Sequence, residues 1–179
     1  MFLSEGSVLR GALVCAGLVA LVVGCGYRFV AGPGARGPDA ETVDIRLFEN
    51  RSREVGVEAL LAAALSDEFA RRGTFAARVD GGAGSELILR GAILQVRVTP
   101  VAYSSVGLAL EERLEVVLQV EVVRGAEMAP VWAAPHLELR ARFLASSDNE
   151  VYENNKEEAF RALASGAASR IHDELFESL

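Results

Sequence analysis

Cysteine is scarce in this chain, with two in 179 residues, Cys15 and Cys25. Both lie in or beside one apolar segment, so no disulfide framework and no cysteine metal site can be read from them. Histidine is equally scarce. His136 follows a proline at the start of a predicted strand and His172 sits on the last predicted helix, without the paired spacing of a zinc site. No Gly-x-Ser-x-Gly elbow is present, which removes one common route to an activated serine. Positive charge is in deficit, with 18 Lys and Arg against 25 Asp and Glu, a net charge of −7. Nucleic-acid binding needs clustered positive charge, so the chain as a whole is a poor candidate for it, although a local basic patch stays open. A run long enough to span a bilayer is missing too. The apolar stretch Gly11 to Val23 counts 13 residues, where a spanning helix needs about 20.

What that short stretch does have is a distinctive end. It closes in Leu21-Val22-Val23-Gly24-Cys25, which resembles the signal and lipobox of bacterial lipoproteins. Its length suits a signal h-region of roughly 7–15 residues. A buried apolar helix and an uncleaved anchor are the alternatives, and the length argues against both. The resemblance implies a signal peptide over 1–24, cleavage before Cys25, and acylation of Cys25 as a lipid anchor to a membrane. Gly26 follows, where lipoprotein families often carry an aspartate for inner-membrane retention, so export to the outer membrane is expected. The mature chain would then be 155 residues with 17 Lys and Arg against 24 Asp and Glu, one ordinary domain.

Residues 25–41 read as the acylated start and a flexible tether rich in Gly and Pro. Gly32, Gly34 and Gly37 spell a literal G-x-G-x-x-G. Prolines flank it and no strand precedes it, so a dinucleotide site is not supported and no cofactor is expected. Residues 42–179 form the single folded domain. Val43 to Phe48 alternates as a half-buried strand. Glu49 to Ser52 reads as a turn. Gly56 to Arg72 is an amphipathic helix with Val57, Leu60, Leu61, Ala64, Leu65 and Phe69 on one face, ended by Gly73. Glu86 to Tyr103, Leu110 to Val123 and Trp132 to Leu144 are three long strands, with Pro100 marking an edge or strand end. Asp148 to Glu153 reads as a polar loop. A last helix, capped at Asn154 or Asn155 and reaching about Phe176, buries Phe160, Leu163, Ala167, Ile171 and Leu175. The expected fold class is α+β, a two-layer sandwich in the order βαβββα. Its sheet would be four-stranded and mostly antiparallel, with both helices on one face.

Several local motifs point the same way. Cys25-Gly26-Tyr27, the strand Val43 to Phe48 with Glu49-Asn50-Arg51, the helix end Glu68-Phe69 with Arg71-Arg72-Gly73, Leu87 to Gly91, and Asn154, Ala159 and Leu163 on the closing helix together resemble the LptE family, the lipopolysaccharide-assembly lipoproteins of the outer membrane. The resemblance implies a non-enzymatic plug inside the large LptD barrel, which helps that barrel assemble and contacts lipopolysaccharide during transport. It implies as partners an LptD-like β-barrel, lipopolysaccharide and a membrane held through the N-terminal lipid. A location on the outer membrane, facing the periplasm or inside a barrel lumen, follows. The other reading is a periplasmic lipoprotein that scaffolds a different envelope complex without binding lipid.

Two candidate sites follow from residue chemistry. Arg140 and Arg142 share one face of the last strand by period two. Arginines bind phosphates through bidentate, charge-assisted bonds, so both are candidate lipopolysaccharide ligands. Pairing with Glu115, Glu121 or Glu138 is the plainer expectation. Arg90 and Arg97 differ by an odd number and share a face only across a bulge. The loop Pro100 to Leu108 is uncharged and carries Tyr103, a candidate barrel contact; an ordinary hairpin connection fits it equally well.

Overall fold

The computed structural model describes residues 41–81, 84–125 and 127–179. The signal segment, Cys25 and the tether through residue 40 lie outside the described residues. Eight elements follow in order: β1 (Thr42–Ile45), β2 (Glu49–Asn50), α1 (Val57–Arg72), β3 (Ala76–Val79), β4 (Leu87–Tyr103), β5 (Ala109–Arg124), β6 (Ala129–Leu144) and α2 (Asn149–Ser178).

The α+β class holds, but the sheet is six-stranded and mixed. Its order is β3-β1-β4-β5-β6, with β2 beside β4. The expected antiparallel meander is present as β4-β5-β6. The other half is parallel: β1 pairs with both β3 and β4, and β2 pairs with β4. The expectation of four mostly antiparallel strands in βαβββα order is therefore corrected. β3 reads Ala-Ala-Arg-Val, too short to show a period, and α1 is the crossover that returns it parallel to β1. β2 is two residues inside the predicted turn, held to β4 at Ala92 and Ile93.

α1 begins one residue after Gly56 and stops at Gly73, whose φ of 68° is left-handed and whose N–H donates to the Phe69 carbonyl at 3.1 Å. That is the glycine stop expected from sequence. α2 begins earlier than expected, at Asn149. Asp148 is the cap, accepting from the Glu150 and Val151 N–H groups at 2.9 and 3.2 Å. The supposed loop is helical because Tyr152 already packs. Its ring meets Phe143 at 5.5 Å and its hydroxyl donates to Glu112 at 2.7 Å. Burial and that donor bond push the Tyr152 hydroxyl up to about 12. The predicted α2 stripe, Phe160, Leu163, Ala167, Ile171 and Leu175, is buried throughout.

Pro100 lies within β4 rather than at its end, opposite Glu112. β1 and β2 accompany β4 only as far as Ile93, so Pro100 occupies a stretch paired on one side among the described residues, where a missing N–H costs no ladder bond.

The two helices clasp through a buried carboxylate. Glu68 is 6 % exposed. Its Oε1 accepts from Arg72 Nε at 2.5 Å and from Ser169 Oγ on α2 at 2.9 Å, and its Oε2 pairs with Arg71. Arg72 also pairs with Asp173 of α2. Burial alone raises the Glu68 carboxyl; the bonds from Arg71, Arg72 and Ser169 outweigh it and bring it down to about 2, from an ordinary 4.5. A carboxylate with a depressed folded value stabilises the fold above its unfolded value and loses that contribution as pH falls. The window is therefore pH 4.5 down to 2, and the whole contribution is on the order of 3 kcal/mol. Glu68→Gln is expected to flatten the fall in unfolding free energy across that window. Denaturant titrations at several pH values would check this, and parallel slopes for both proteins would refute it.

Candidate functional site

One face of β4, β5 and β6 packs under the helices through Leu89, Ile93, Leu114, Val116, Leu118, Leu137 and Phe143. The other face gathers arginines. Strand register sets them in rows: Arg97 opposite Glu115 opposite Arg140, and Thr99 opposite Arg113 opposite Arg142. Arg140 and Arg142 share this face as expected. Arg90 and Arg97 share it as well, because the register shifts between Ile93 and Gln95 and leaves Leu94 as the extra residue. One bulged residue reverses the alternation.

The expected acidic pairing is there too. Arg140 Nη2 lies 2.6 Å from Glu138 Oε1 and its Nε 3.5 Å from Glu115 Oε1. Arg90 pairs with Glu121 at 2.7 Å. Arg142 reaches Glu111 at 3.7 Å and Arg113 reaches Glu115 at 3.8 Å. Exposed pairs of this kind contribute about 0–1 kcal/mol each. Arg97 has no ion pair among the described residues. A groove of about 160 Å³ beside it is lined by Gln95, Arg97, Glu115, Val117, His136 and Glu138.

Arg113 joins this face without having been expected on it from the sequence. It stands directly opposite Arg142, and like charges facing each other across a strand pair are unfavourable. Arg97, Arg113, Arg140 and Arg142 thus share Glu111, Glu115 and Glu138, leaving one arginine in excess on an otherwise acidic chain. Period two along β5 from Glu115 and Glu121 could have placed Arg113 on this face; its register with Arg142 could not have been read.

The strands lead from the arginine rows to an apolar end. Tyr103 is 60 % exposed and Val106 77 %. Leu108, Leu110 and Leu144 are exposed beside them, with Val151 at the nearby start of α2. The expected loop Pro100 to Leu108 is shorter: Pro100 to Tyr103 are the end of β4, paired with β5, and residues 104–108 are the β4–β5 hairpin connection. It is closed by Ser104 N–H to the Leu108 carbonyl at 2.8 Å and by Gly107 N–H to the Ser104 carbonyl at 3.0 Å. Both readings of the loop survive, since the hairpin connection is also an exposed apolar surface.

Among the described residues no group of three His, Cys, Asp or Glu side chains converges as a metal site. His136 is exposed on the arginine face and His172 is buried in the helix clasp, so the two histidines lie apart.

The family model described as LptE, lipopolysaccharide-assembly, matches residues 40–175. The chain belongs to the LptE family. It is a non-enzymatic lipopolysaccharide-assembly protein. No curated protein matches it. Among solved structures, a putative lipoprotein from Caulobacter crescentus CB15 is 15 % identical with a TM-score of 0.51, covering 72 % of this chain and 86 % of its own. The hypothetical protein CT253 from Chlamydia trachomatis is 12 % identical with a TM-score of 0.50, over 76 % of this chain and 98 % of its own. Rare lipoprotein B from Shewanella oneidensis is 14 % identical with a TM-score of 0.49, over 75 % and 95 %. At such identities the first two speak for a shared fold alone.

Among the described residues that carried the LptE resemblance, Phe48 and Asn50 have structural roles. Phe48 is 2 % exposed in the core. Asn50 ties the segment before α1 together. Its Nδ2 donates to the Glu54 carbonyl and to Glu58 Oε2, both at 2.7 Å, and its Oδ1 accepts from Ser52 N–H at 2.9 Å and Ser52 Oγ at 2.7 Å. In this LptE chain the motif shapes the turn from β2 into α1, away from the arginine face.

Proposed function

We propose that this chain is the plug and assembly partner of an LptD-like outer-membrane β-barrel, lipid-anchored through Cys25, and that it contacts lipopolysaccharide directly. The observation that carries the lipid contact is the juxtaposition on one sheet face. Arg97, Arg113, Arg140 and Arg142 lie on neighbouring strands, and Tyr103, Val106 and Leu144 expose apolar surface at the end of the same strands. A phosphorylated, acylated lipid has the matching pair of features. Arginines bind its phosphates through charge-assisted bonds and the apolar end accepts acyl carbon. The facing pair Arg113 and Arg142 is relieved when an anion sits between them. Tyr103 and its loop are the surface offered to the barrel wall.

The pairing of Arg140 with Glu138 and Glu115 favours the second reading, a scaffold of another envelope complex with no lipid contact. A mild-detergent pull-down of the C-terminally tagged full chain separates the two. A stoichiometric large β-barrel is the result expected of the plug, and its reproducible absence with folded, acylated bait supports the scaffold. Arg140→Ala with Arg142→Ala is expected to weaken lipopolysaccharide binding at least about tenfold, since bonds to charged groups contribute about 1.5–3 kcal/mol each. Arg161→Ala, on α2, serves as the control. Unchanged binding by the double variant would remove Arg140 and Arg142 from the contact.

A further inference from the structure

His172 is 3 % exposed and neither of its ring nitrogens has a hydrogen-bond partner among the described residues. Buried polar atoms are rarely left so. The ring stands nearly perpendicular to Phe69 of α1 at 5.0 Å and to Phe75, just before β3, at 5.6 Å between centroids. Three charged groups face it. Glu68 and Arg72 come from α1 and Asp173 from its own helix; Phe75 brings only an aromatic ring. Nδ1 lies 3.8 Å from Asp173 Oδ1, too far for a hydrogen bond. That oxygen is already taken by Arg72 Nη1, while Arg72 Nη2 lies 3.4 Å from the other. One carboxylate oxygen is thus placed between a permanent cation and a group that becomes one in acid.

We propose that His172 is an acid-sensitive latch of the helix clasp: on protonation it takes Asp173 from Arg72 and loosens the C-terminal half of α2 from α1. The neutral ring suits its aromatic surroundings, whereas the imidazolium has no partner there except Asp173. The sign agrees. Burial, and then the charge of Arg72, lower the His172 value below 6.5, while Asp173 and Glu68 pull it up less. The loosened state then binds more protons than the closed one. The clasp is complete above pH 6.5 and weakens as pH falls below it. Glu68 acts between 4.5 and 2, and the His172 effect sets in higher, as pH falls below 6.5.

Nuclear magnetic resonance of the full chain in detergent tests this, through the His172 Cε1–H titration and amide exchange across α2 at about pH 7.5 and about pH 5, inside the range where histidine switches. His172 is expected to titrate below 6.5. Protection of residues 166–178, corrected for intrinsic exchange, is expected to fall on acidification, with a limit of about tenfold per unit by which the His172 value is depressed. His172→Phe is expected to hold its protection over the same interval. Asp173→Asn is expected to show low protection already at the higher pH. Titration of His172 at or above 6.5 would overturn the latch, as would equal acid loss in wild type and His172→Phe. The wild-type titration decides the matter even where the phenylalanine variant does not fold.

Discussion

Gly91→Ala is expected to destabilise the chain by at least about 3 kcal/mol, the upper end for overpacked sites. A Cβ at Gly91 would stand 2.1 Å from the Gln119 carbonyl oxygen and 2.6 Å from Phe48 Cε1. The aromatic ring can shift, but the carbonyl belongs to the backbone of β5. Gln119 sits where the β5–β6 register slips between Leu118 and Val120, so moving it disturbs two strand pairs together. Folded domains hold only about 5–15 kcal/mol in total, and the variant spends a large share. The urea midpoint of the purified chain would show it. The origin of the strain is separable: Phe48→Ala in the same chain removes the ring and leaves the carbonyl, so the double variant should regain little. A midpoint for Gly91→Ala within error of wild type would mean that β4 and β5 part more easily than this packing allows.

Phe69→Ala is expected to cost about 3–5 kcal/mol, the range for a buried phenylalanine reduced to its Cβ. Phe69 is fully buried, with Phe75 at 5.6 Å and His172 at 5.0 Å. It joins α1 to α2 and to the start of β3, and these elements have few ways to collapse onto the void. Its backbone carbonyl still receives the Gly73 N–H, so the helix stop survives and the loss is one of packing. Phe69→Leu, closer in volume, should cost clearly less than the alanine. Thermal melting of the three proteins would rank them. Equal melting temperatures for alanine and wild type would show that this part of the core is already loose.

Features written within a few residues of one another were readable in advance. The apolar stripe of α1 and its stop at Gly73 depend on one turn of helix and one left-handed glycine. The β4-β5-β6 meander follows from alternation in three long segments, and the face shared by Arg140 and Arg142 follows from the same period. The start of α2 was misplaced by a local competition. Asp148 and two later asparagines are all capable caps, and the packing of Tyr152 against Phe143 selects Asp148. Glu68 stood out in the sequence only as part of the helix-end motif; the approach of Ser169, 101 positions away, shows it to be a buried tie.

Sequence by itself determined the class of protein. It carried the LptE motifs, the two helices, the meander, and the lack of zinc-site spacing and of a serine elbow. Tertiary structure alone decided the parallel half of the sheet, the slip at Leu94 that brings Arg90 and Arg97 to one face, the confrontation of Arg113 with Arg142, and the burial of His172. Periodicity and capping are settled by hydrogen bonds and side chains a few residues apart. Strand neighbours and register are settled by which distant segments bury their apolar faces together once the chain between them has closed, and one extra residue then turns a side chain to the opposite face.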